Sequence, residues 1–261
     1  MTSHPDFHTR TACLLGEEAM ERLAEASVAV IGLGGVGGAC AEALVRAGVG
    51  RLILMDHDRV DPTNLNRQLF ATQDTVGQVK VEAARSRLLS IHPGLKLCLL
   101  QEFYAEETKE HLFSAGPELI VDAIDTVTSK LNLAVECRAR GIPLIQSLGT
   151  GNRLNPAAFR VGKIEDTAGC GCGLARVMRR ELKKRGLAGQ TVLYSTEFPR
   201  PVLVSSEHGR HSPASISFCP PAAGYIIAGW VVEQLISGTA PAGVPADKPA
   251  GSLPSRKAPA R

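Results

Sequence analysis

Closely spaced glycines stand between an apolar run and a helical pattern in Val30–Val49, VIGLGGVGGACAEALVRAGV. Gly32, Gly34, Gly35 and Gly37 form a G-x-G-G-x-G motif, which permits a tight turn and lets a ligand approach the backbone closely. The helix that follows offers free N–H groups and a partial positive charge at its first turn. The stretch therefore predicts a phosphate-binding loop, for either a redox dinucleotide or a nucleotide that is consumed.

A second group of polar side chains follows the next apolar run, in MDHDRVDPTNLNRQLF. Asp56 lies at the end of that run, where an acid can accept hydrogen bonds from ribose hydroxyls. The other candidate nucleotide-binding residues of this stretch are Asp58, Asn64, Asn66, Arg67 and Gln68. In an open parallel sheet, ligands bind at the carboxyl edge, which is where this stretch begins.

Two cations and one acid distinguish between the two kinds of nucleotide. Arg67 suits bidentate phosphate contact, and Lys80 supplies a second cation. Asp125, after a later apolar run, is placed to hold Mg²⁺ through its oxygens. Release of pyrophosphate from ATP needs such charge neutralisation, whereas hydride transfer does not. We therefore interpret the edge as an ATP and Mg²⁺ site, with an NAD(P)-dependent dehydrogenase as one alternative.

These residues need a framework that brings several strand ends together. Strands are predicted at Ser27–Gly32, Arg51–Asp56, Leu95–Leu100, Glu118–Asp125 and Pro143–Ser147. Helices are predicted at Thr11–Glu25, Gly35–Ala47, Val76–Ser90, Glu106–Ser114 and Thr128–Arg140. This alternation predicts an α/β fold with a doubly wound, mostly parallel, Rossmann-like sheet.

The pattern changes beyond residue 150. FRVGKI, TVLYSTE and SISF are predicted strands of a second sheet or of an extension of the first, and Ala222–Ile236 is an apolar core helix. We expect a single domain over residues 1–238, with a nucleotide-binding part at 10–150 and a substrate and dimer part at 151–238. Residues 239–261, rich in Pro, Ala and Gly, are predicted to be disordered.

Composition limits the class of protein further. Hydrophobic residues make up 44% of the 261, which suffices for a sizeable core, and no apolar run reaches about eighteen residues. The first ten residues lack the apolar segment of a secretory signal. Seven scattered cysteines suit reduced thiols. We therefore expect a cytoplasmic protein with no membrane partner.

Four segments, GLGGVGG, LILMDHDRVDPTNLNRQLF, VGQVKVEAA and IVDAIDT, resemble the adenylating fold of ubiquitin-activating enzymes and bacterial sulfur-carrier activators. The resemblance runs from about residue 10 to residue 236 and implies ATP and Mg²⁺ as ligands. It implies ribose binding by Asp56, phosphate binding by Asn64, Arg67 and Lys80, and magnesium binding by Asp125.

An N-terminal arginine completes this resemblance. Arg10, in FHTRTACLLGEEAM, matches an arginine that reaches the ATP of the partner subunit in that family. The match implies a homodimer in which Arg10 takes part in catalysis. A flexible surface charge is the alternative interpretation of Arg10.

Further segments resemble the tRNA threonylcarbamoyladenosine dehydratases: FHTRTACLLGEEAMERL, DAIDTVTSKLNL, LARVMRRELKKRG and VLYSTEFPRP. That resemblance implies that the substrate is a modified adenosine beside the anticodon of tRNA. ATP would adenylate its threonyl carboxylate, and an intramolecular nitrogen would displace AMP to close a five-membered ring. A sulfur-transfer protein stays open as a further partner.

A tRNA substrate calls for a basic surface. The net charge of +3 equals the charge of residues 239–261, so only a local patch could indicate RNA binding. Helical spacing over Gly173–Arg185 places five cations on one face, opposite an apolar face. These candidate tRNA-binding residues are Arg176, Arg179, Arg180, Lys183 and Lys184. A solubilising helix face is the alternative.

The second candidate activity is activation of a small sulfur-carrier protein. Many such enzymes bind structural zinc through two C-x-x-C pairs. This chain has Cys170-x-Cys172 instead, and one pair cannot complete a tetrahedral site. Cys219 is predicted to be buried and inert, and His57 to be a surface residue outside the site.

Overall fold

The computed structural model describes residues 7–203 and 213–237, which are built around a seven-stranded sheet. Its strands are β1 Ser27–Ile31, β2 Arg51–Met55, β3 Lys96–Leu100, β4 Leu119–Asp122, β5 Leu144–Ser147, β6 Phe159–Lys163 and β7 Thr191–Ser195. Their order is β3-β2-β1-β4-β5-β7-β6, and every pair is parallel except β6–β7. The predicted α/β class is confirmed, and the later strands extend the first sheet.

Helices cover both faces of this sheet. They are α1 Thr9–Leu15, α2 Glu17–Glu25, α3 Gly35–Ala47, α4 Lys80–Ile91, α5 Lys109–Ser114, α6 Val127–Arg140, α7 Gly173–Lys184 and α8 Cys219–Ile236. Alternate residues of β1 point to opposite faces, so Val28 and Val30 pack with α3, α4 and α8, whereas Ala29 and Ile31 pack with α5, α6 and α7. Both faces are buried, as expected for parallel strands.

The apolar helix α8 is a core element that packs closely on α3. A Cβ on Gly224 would overlap the carbonyl oxygen of Val36, so only glycine allows this approach of the two backbones. Within the described residues, no helix is both long enough and apolar enough to span a membrane.

An ion pair joins α3 to α4 at the edge of this core. Glu42 has 7% of its surface exposed and accepts hydrogen bonds from Arg46 Nε at 2.8 Å and Arg87 Nε at 2.9 Å. Burial alone would raise the pKa of Glu42, but the bonds from Arg87 and Arg46 outweigh it and lower the pKa.

Several predicted elements need correction, among them helix α5, which begins at Lys109 rather than residue 106. The first predicted helix divides at Gly16, whose φ of 85° ends α1. Helix α4 begins at Lys80 rather than residue 76, because Gly77 has a φ of 84° and its N–H bonds to Val60 O. Residues 215–218 are not a strand. The predicted disordered tail, residues 239–261, lies outside the described residues.

Candidate active site

A cleft of about 420 Å³ lies at the carboxyl ends of β1, β2 and β4. Most of the predicted nucleotide-binding residues line it: Gly32, Gly34, Gly35, Asp56, Asp58, Asn64, Arg67, Gln68, Lys80 and Asp125. Gly37, Asn66 and Arg10 are not in its lining. The volume is in the range of small-molecule sites, which run from about 300 to 1,000 Å³.

The glycine loop forms the floor of the cleft and keeps it free of side chains. Gly32 has a φ of 86°, and a Cβ there would stand 2.8 Å from Ala123 O. A Cβ on Gly37 would overlap the carbonyl oxygen of Gly32, so Gly37 serves the packing of α3 on β1. Among the described residues, no side chain caps α3, which leaves its first N–H groups available to an anionic ligand.

Asp56 is fixed beside this loop at the end of β2. It is 7% exposed; its Oδ2 accepts from Leu33 N at 2.6 Å and its Oδ1 accepts from Asp58 N at 2.8 Å. A carboxylate has about four acceptor positions, so two backbone bonds leave room for ribose hydroxyls.

Lys80, the first residue of α4, brings a desolvated positive charge into the cleft. Its side chain is 8% exposed, with Nζ 2.7 Å from Asp58 Oδ2 and 4.0 Å from Asp56 Oδ2. The bond to Asp58 uses one of the three N–H donors of the ammonium group. The other donors are available to an anionic ligand.

Arg67 provides the second cation. Its Nη1 donates to Thr63 O at 2.8 Å and to Asn66 Oδ1 at 2.9 Å, and burial lowers its pKa. Asn66 Nδ2 in turn donates to Ser215 O at 3.1 Å. Asn66 therefore orients Arg67 and ties this segment to residues 213–216.

Asn64 lies in a 3₁₀ turn over Pro62–Asn64 that its own residues hold in place. Asp61 Oδ1 accepts from Thr63 N at 2.8 Å, and Asn64 Oδ1 accepts from Asp61 N at 3.2 Å. Asn64 and Gln68 are both nearly buried at the cleft. The hydrogen bonds of the turn hold Asn64 in place, so its side chain loses little conformational entropy when a ligand binds.

Asp125 lies in the loop after β4, because that strand ends at Asp122 and not at residue 125 as predicted. Its carboxylate is exposed in the cleft, where Oδ1 accepts only from Thr126 Oγ1, at 3.4 Å, among the described residues. Mg²⁺ commonly uses one or two carboxylates together with substrate phosphates. The open carboxylate of Asp125 therefore fits a magnesium ligand.

A buried network that sequence reasoning missed anchors this loop. Lys130 Nζ is 3.0 Å from Asp122 Oδ1 and donates to Ser147 O at 2.8 Å. Gln146 Nε2 donates to Asp122 Oδ2 at 2.7 Å. Both side chains of the ion pair have no exposed surface. Lys130 thus joins the ends of β4 and β5, next to the loop that carries Asp125.

A cluster of possible metal ligands, Asp56, His57 and Asp58, also lies at the cleft, with its ligand atoms within 4.8 Å of one another. Asp56 already accepts two backbone N–H bonds and Asp58 accepts from Lys80, whereas Asp125 has no cationic partner among the described residues, which leaves Asp125 the better magnesium ligand. His57, predicted to lie outside the site, lines the cleft. The centre of its ring is 5.0 Å from that of the Phe103 ring.

A wall of the cleft comes from distant parts of the chain. Thr150 and Gly151 line it after β5, and Pro213, Ser215 and Pro220 line it before and within α8. A Cβ on Gly151 would stand 2.6 Å from Pro213 Cβ, so the two segments are in close contact. The sequence contains no local signal for this contact.

Arg10 lies on α1, away from the cleft of its own chain. Its neighbours Thr9 and Ala12 share a groove with Gly50 and Lys96, at the amino ends of β2 and β3. Arg10 itself is exposed. Its predicted action on a partner's ATP stays a prediction.

The predicted basic helix forms as α7, but its cations differ in environment. Arg179 is half-buried and donates to Thr167 Oγ1 at 2.8 Å. Glu181 pairs with Arg180, Lys184 and Arg185, and bonds from Arg185, Lys184 and Arg180 lower its pKa to about 2. Two of the five predicted cations of α7, Arg176 and Lys183, are exposed and form no ion pair with any described residue.

The cysteines are free thiols, and the predicted burial of Cys219 is confirmed. Cys219 is 1% exposed. Burial raises the pKa of its thiol most, the negative charge of Glu197 raises it further, and the positive charge of Arg153 lowers it in part.

The sheet topology and the cleft define a doubly wound α/β protein with a nucleotide-binding loop. The chain belongs to the ThiF family, whose model matches residues 8–245. The predicted resemblance to this adenylating superfamily is thereby confirmed.

Relatives within the family match the chain to different extents. A tRNA threonylcarbamoyladenosine dehydratase of Bacillus subtilis (strain 168) is 40% identical over 240 residues, covering 87% of this chain and 94% of the relative. The crystal structure of the Escherichia coli dehydratase in complex with ATP has a TM-score of 0.79 at 29% identity, covering 88% of this chain and 93% of that chain. The molybdopterin-synthase adenylyltransferase of Salmonella typhimurium is 39% identical over 128 residues, 49% of this chain and 51% of the relative.

Proposed function

We propose that this protein is an ATP-dependent enzyme that dehydrates threonylcarbamoyladenosine in tRNA to a cyclic form. The observation that carries the proposal is the extent of the similarity. The dehydratase of Bacillus subtilis matches over 94% of its length, whereas the molybdopterin-synthase adenylyltransferase matches over 51%. The dehydratases thus resemble both the nucleotide cleft and the later part of the chain, where a substrate must bind.

In the first step, a carboxylate oxygen of the substrate attacks the α-phosphorus of ATP, and the bond to pyrophosphate breaks. Asp56 binds the ribose, and Asn64, Arg67 and Lys80 hold the phosphates. Their cationic N–H groups neutralise the charge that accumulates on the leaving pyrophosphate. Asp125 would hold Mg²⁺, which supplies further neutralisation of phosphate charge.

In the second step, a nitrogen of the same substrate attacks the activated acyl carbon. The bond from that carbon to AMP breaks, the nitrogen releases its proton to solvent, and a five-membered ring closes. Because both reacting groups belong to one molecule, proximity supplies much of the acceleration. No protein nucleophile is required, which agrees with the burial of Cys219.

The partners in this reaction are tRNA and a second copy of the chain. Arg176 and Lys183 on α7 contact tRNA phosphates, with Arg180 and Lys184 beside them. Arg10 reaches the ATP of a second copy of the chain in a homodimer. A tRNA substrate puts the reaction in the cytoplasm.

Release of AMP from radiolabelled ATP tests the proposal. We expect AMP to form with tRNA that carries threonylcarbamoyladenosine and not with the same tRNA lacking the modification. AMP formation that depends on a small protein with a Gly-Gly C-terminus would instead favour the sulfur-carrier activity. Reduction of NAD(P)⁺ without AMP release would favour a dehydrogenase.

A further inference from the structure

Buried hydrogen-bonding atoms without partners concentrate at and directly behind one wall of the cleft, where Ser215 belongs to the lining and Asn152 and Arg153 follow Gly151, which is also in the lining. Among the described residues, Asn152 Oδ1, Arg153 Nε, Arg153 Nη1 and Ser215 Oγ are buried and make no hydrogen bond. The three residues are adjacent in space, because Asn152 N donates to Ala214 O at 2.8 Å and Gly151 lies against Pro213. Most buried polar groups in folded proteins are paired, so this concentration calls for an explanation.

Arg153 is the costliest of the three. It is 3% exposed, and a guanidinium removed from water is strongly destabilising without partners. The neighbouring acid Glu197 does not pair with it, since its carboxylate accepts from Leu154 N, Asn155 N and Arg200 Nε. A binding partner that brings an anion or carbonyl oxygens would satisfy Arg153.

The wall stands beside the residues assigned to phosphate binding. Ser215 lines the cleft, and its carbonyl oxygen accepts from Asn66, the residue that orients Arg67. A group bound at this wall therefore lies next to the phosphates that Arg67 holds. An acyl group bound there would be close to the phosphate that it has to attack.

We propose that Asn152, Arg153 and Ser215 form the subsite for the threonylcarbamoyl group of the modified nucleoside; this inference rests on the proposed function. The group carries carboxylate and carbonyl oxygens, which match the unpaired N–H groups on Nε and Nη1 of Arg153. It also carries N–H and hydroxyl donors, which match Asn152 Oδ1 and Ser215 Oγ. Every unpartnered atom of the wall thus has a complement in this ligand.

A binding role and a structural role predict opposite effects on stability. Removing a buried polar atom that has no partner is neutral or stabilising, whereas removing one that supports the fold is destabilising. Ser215→Ala and Arg153→Gln remove such atoms. Asn152→Gly removes the unpartnered amide, and glycine adopts the φ of 58° at position 152 without strain. The exposed Arg160 of β6 provides a matched control, Arg160→Gln.

The test measures three quantities for each variant: KM for threonylcarbamoyladenosine-containing tRNA in AMP release, Kd for ATP, and the melting temperature. We expect Arg153→Gln to raise KM about tenfold or more, because a charged hydrogen-bond donor is lost. We expect Ser215→Ala and Asn152→Gly to raise KM less. Kd for ATP should stay unchanged, the melting temperatures should be equal to or above that of the wild type, and Arg160→Gln should match the wild type throughout.

Two results overturn the subsite alone. One is an active wild type whose three variants retain its KM. The other is a rise in KM accompanied by weaker ATP binding and a lower melting temperature, which would mean that the residues support the fold. A wild type that releases no AMP with the modified tRNA overturns the proposed function, and the subsite with it.

Discussion

Replacing Lys80 by methionine removes a positive charge from the cleft while keeping the length of the side chain. Lys80 Nζ lies 2.7 Å from Asp58 Oδ2, and the Asp58 side chain is 50% exposed. Once Lys80 is replaced, Asp58 can be hydrated, and Asp56, which lies 4.0 Å from Lys80 Nζ, keeps its two backbone N–H bonds, so we expect the folded state to lose about 1 kcal/mol or less. This corresponds to a fall of about 2–4 °C in melting temperature for a chain of this size.

The effect of Lys80→Met on activity should be much larger. Preorganised charges that stabilise a transition state contribute about 3–4 kcal/mol each, a factor of about 100 to 1,000 in rate. We therefore expect AMP release at saturating modified tRNA to fall by that factor. The assay compares AMP release with thermal unfolding in the absence of nucleotide.

Lys130→Met is the matched control for this prediction. Its removal leaves Asp122 buried without a charge partner, which costs about 3–5 kcal/mol of stability and lowers the melting temperature by about 10 °C. A Lys80→Met variant that releases AMP at the wild-type rate would refute the assignment of Lys80. So would a loss of stability as large as that of Lys130→Met.

Three further predictions concern stability and tRNA binding. Burial raises the pKa of Glu42, but hydrogen bonds from Arg87 and Arg46 lower it below the usual value of 4.5 overall. The ionised Glu42 carboxylate therefore stabilises the folded state above pH 4.5, and this stabilisation is lost as the pH falls below 4.5. The Glu42→Gln variant should therefore melt below the wild type at pH 7, and the difference should vanish in acid; a constant difference would contradict this. Gly37→Ala should cost about 3 kcal/mol in chemical denaturation, whereas Gly229→Ala, where the structure leaves open space, should gain about 0.5–1 kcal/mol. Replacing Arg176 and Lys183 by alanine should reduce the salt dependence of log K for tRNA by a slope of about 2, and an unchanged slope would remove α7 from the interface.

The part of the site nearest the glycine loop was predictable because its signals are local. The strand, glycine loop and helix are consecutive in sequence, and the carboxyl ends of parallel strands meet at one edge. Asp56, Lys80 and Asp125 therefore line one cleft, as their positions predict. The length of β4 was not predictable to the residue, because apolar runs do not mark where pairing stops.

The second wall of the cleft could not be predicted, since it depends on contacts between distant segments. Asn66 and Ser215 are 149 residues apart, and their hydrogen bond requires the whole fold. Nothing in the sequence around Arg153 indicates burial, yet the folded protein leaves it only 3% exposed. The role of Gly37 in packing likewise emerged only from the distance between two backbones.

The transfer of carboxylate oxygen to AMP tests the central claim most directly. If the cleft adenylates the substrate and ring closure then expels AMP, modified tRNA with ¹⁸O in its threonyl carboxylate must deliver one labelled oxygen to AMP. Mass spectrometry of the nucleotide products detects it. We predict labelled AMP with unlabelled pyrophosphate; unlabelled AMP, or label in orthophosphate, would contradict the account.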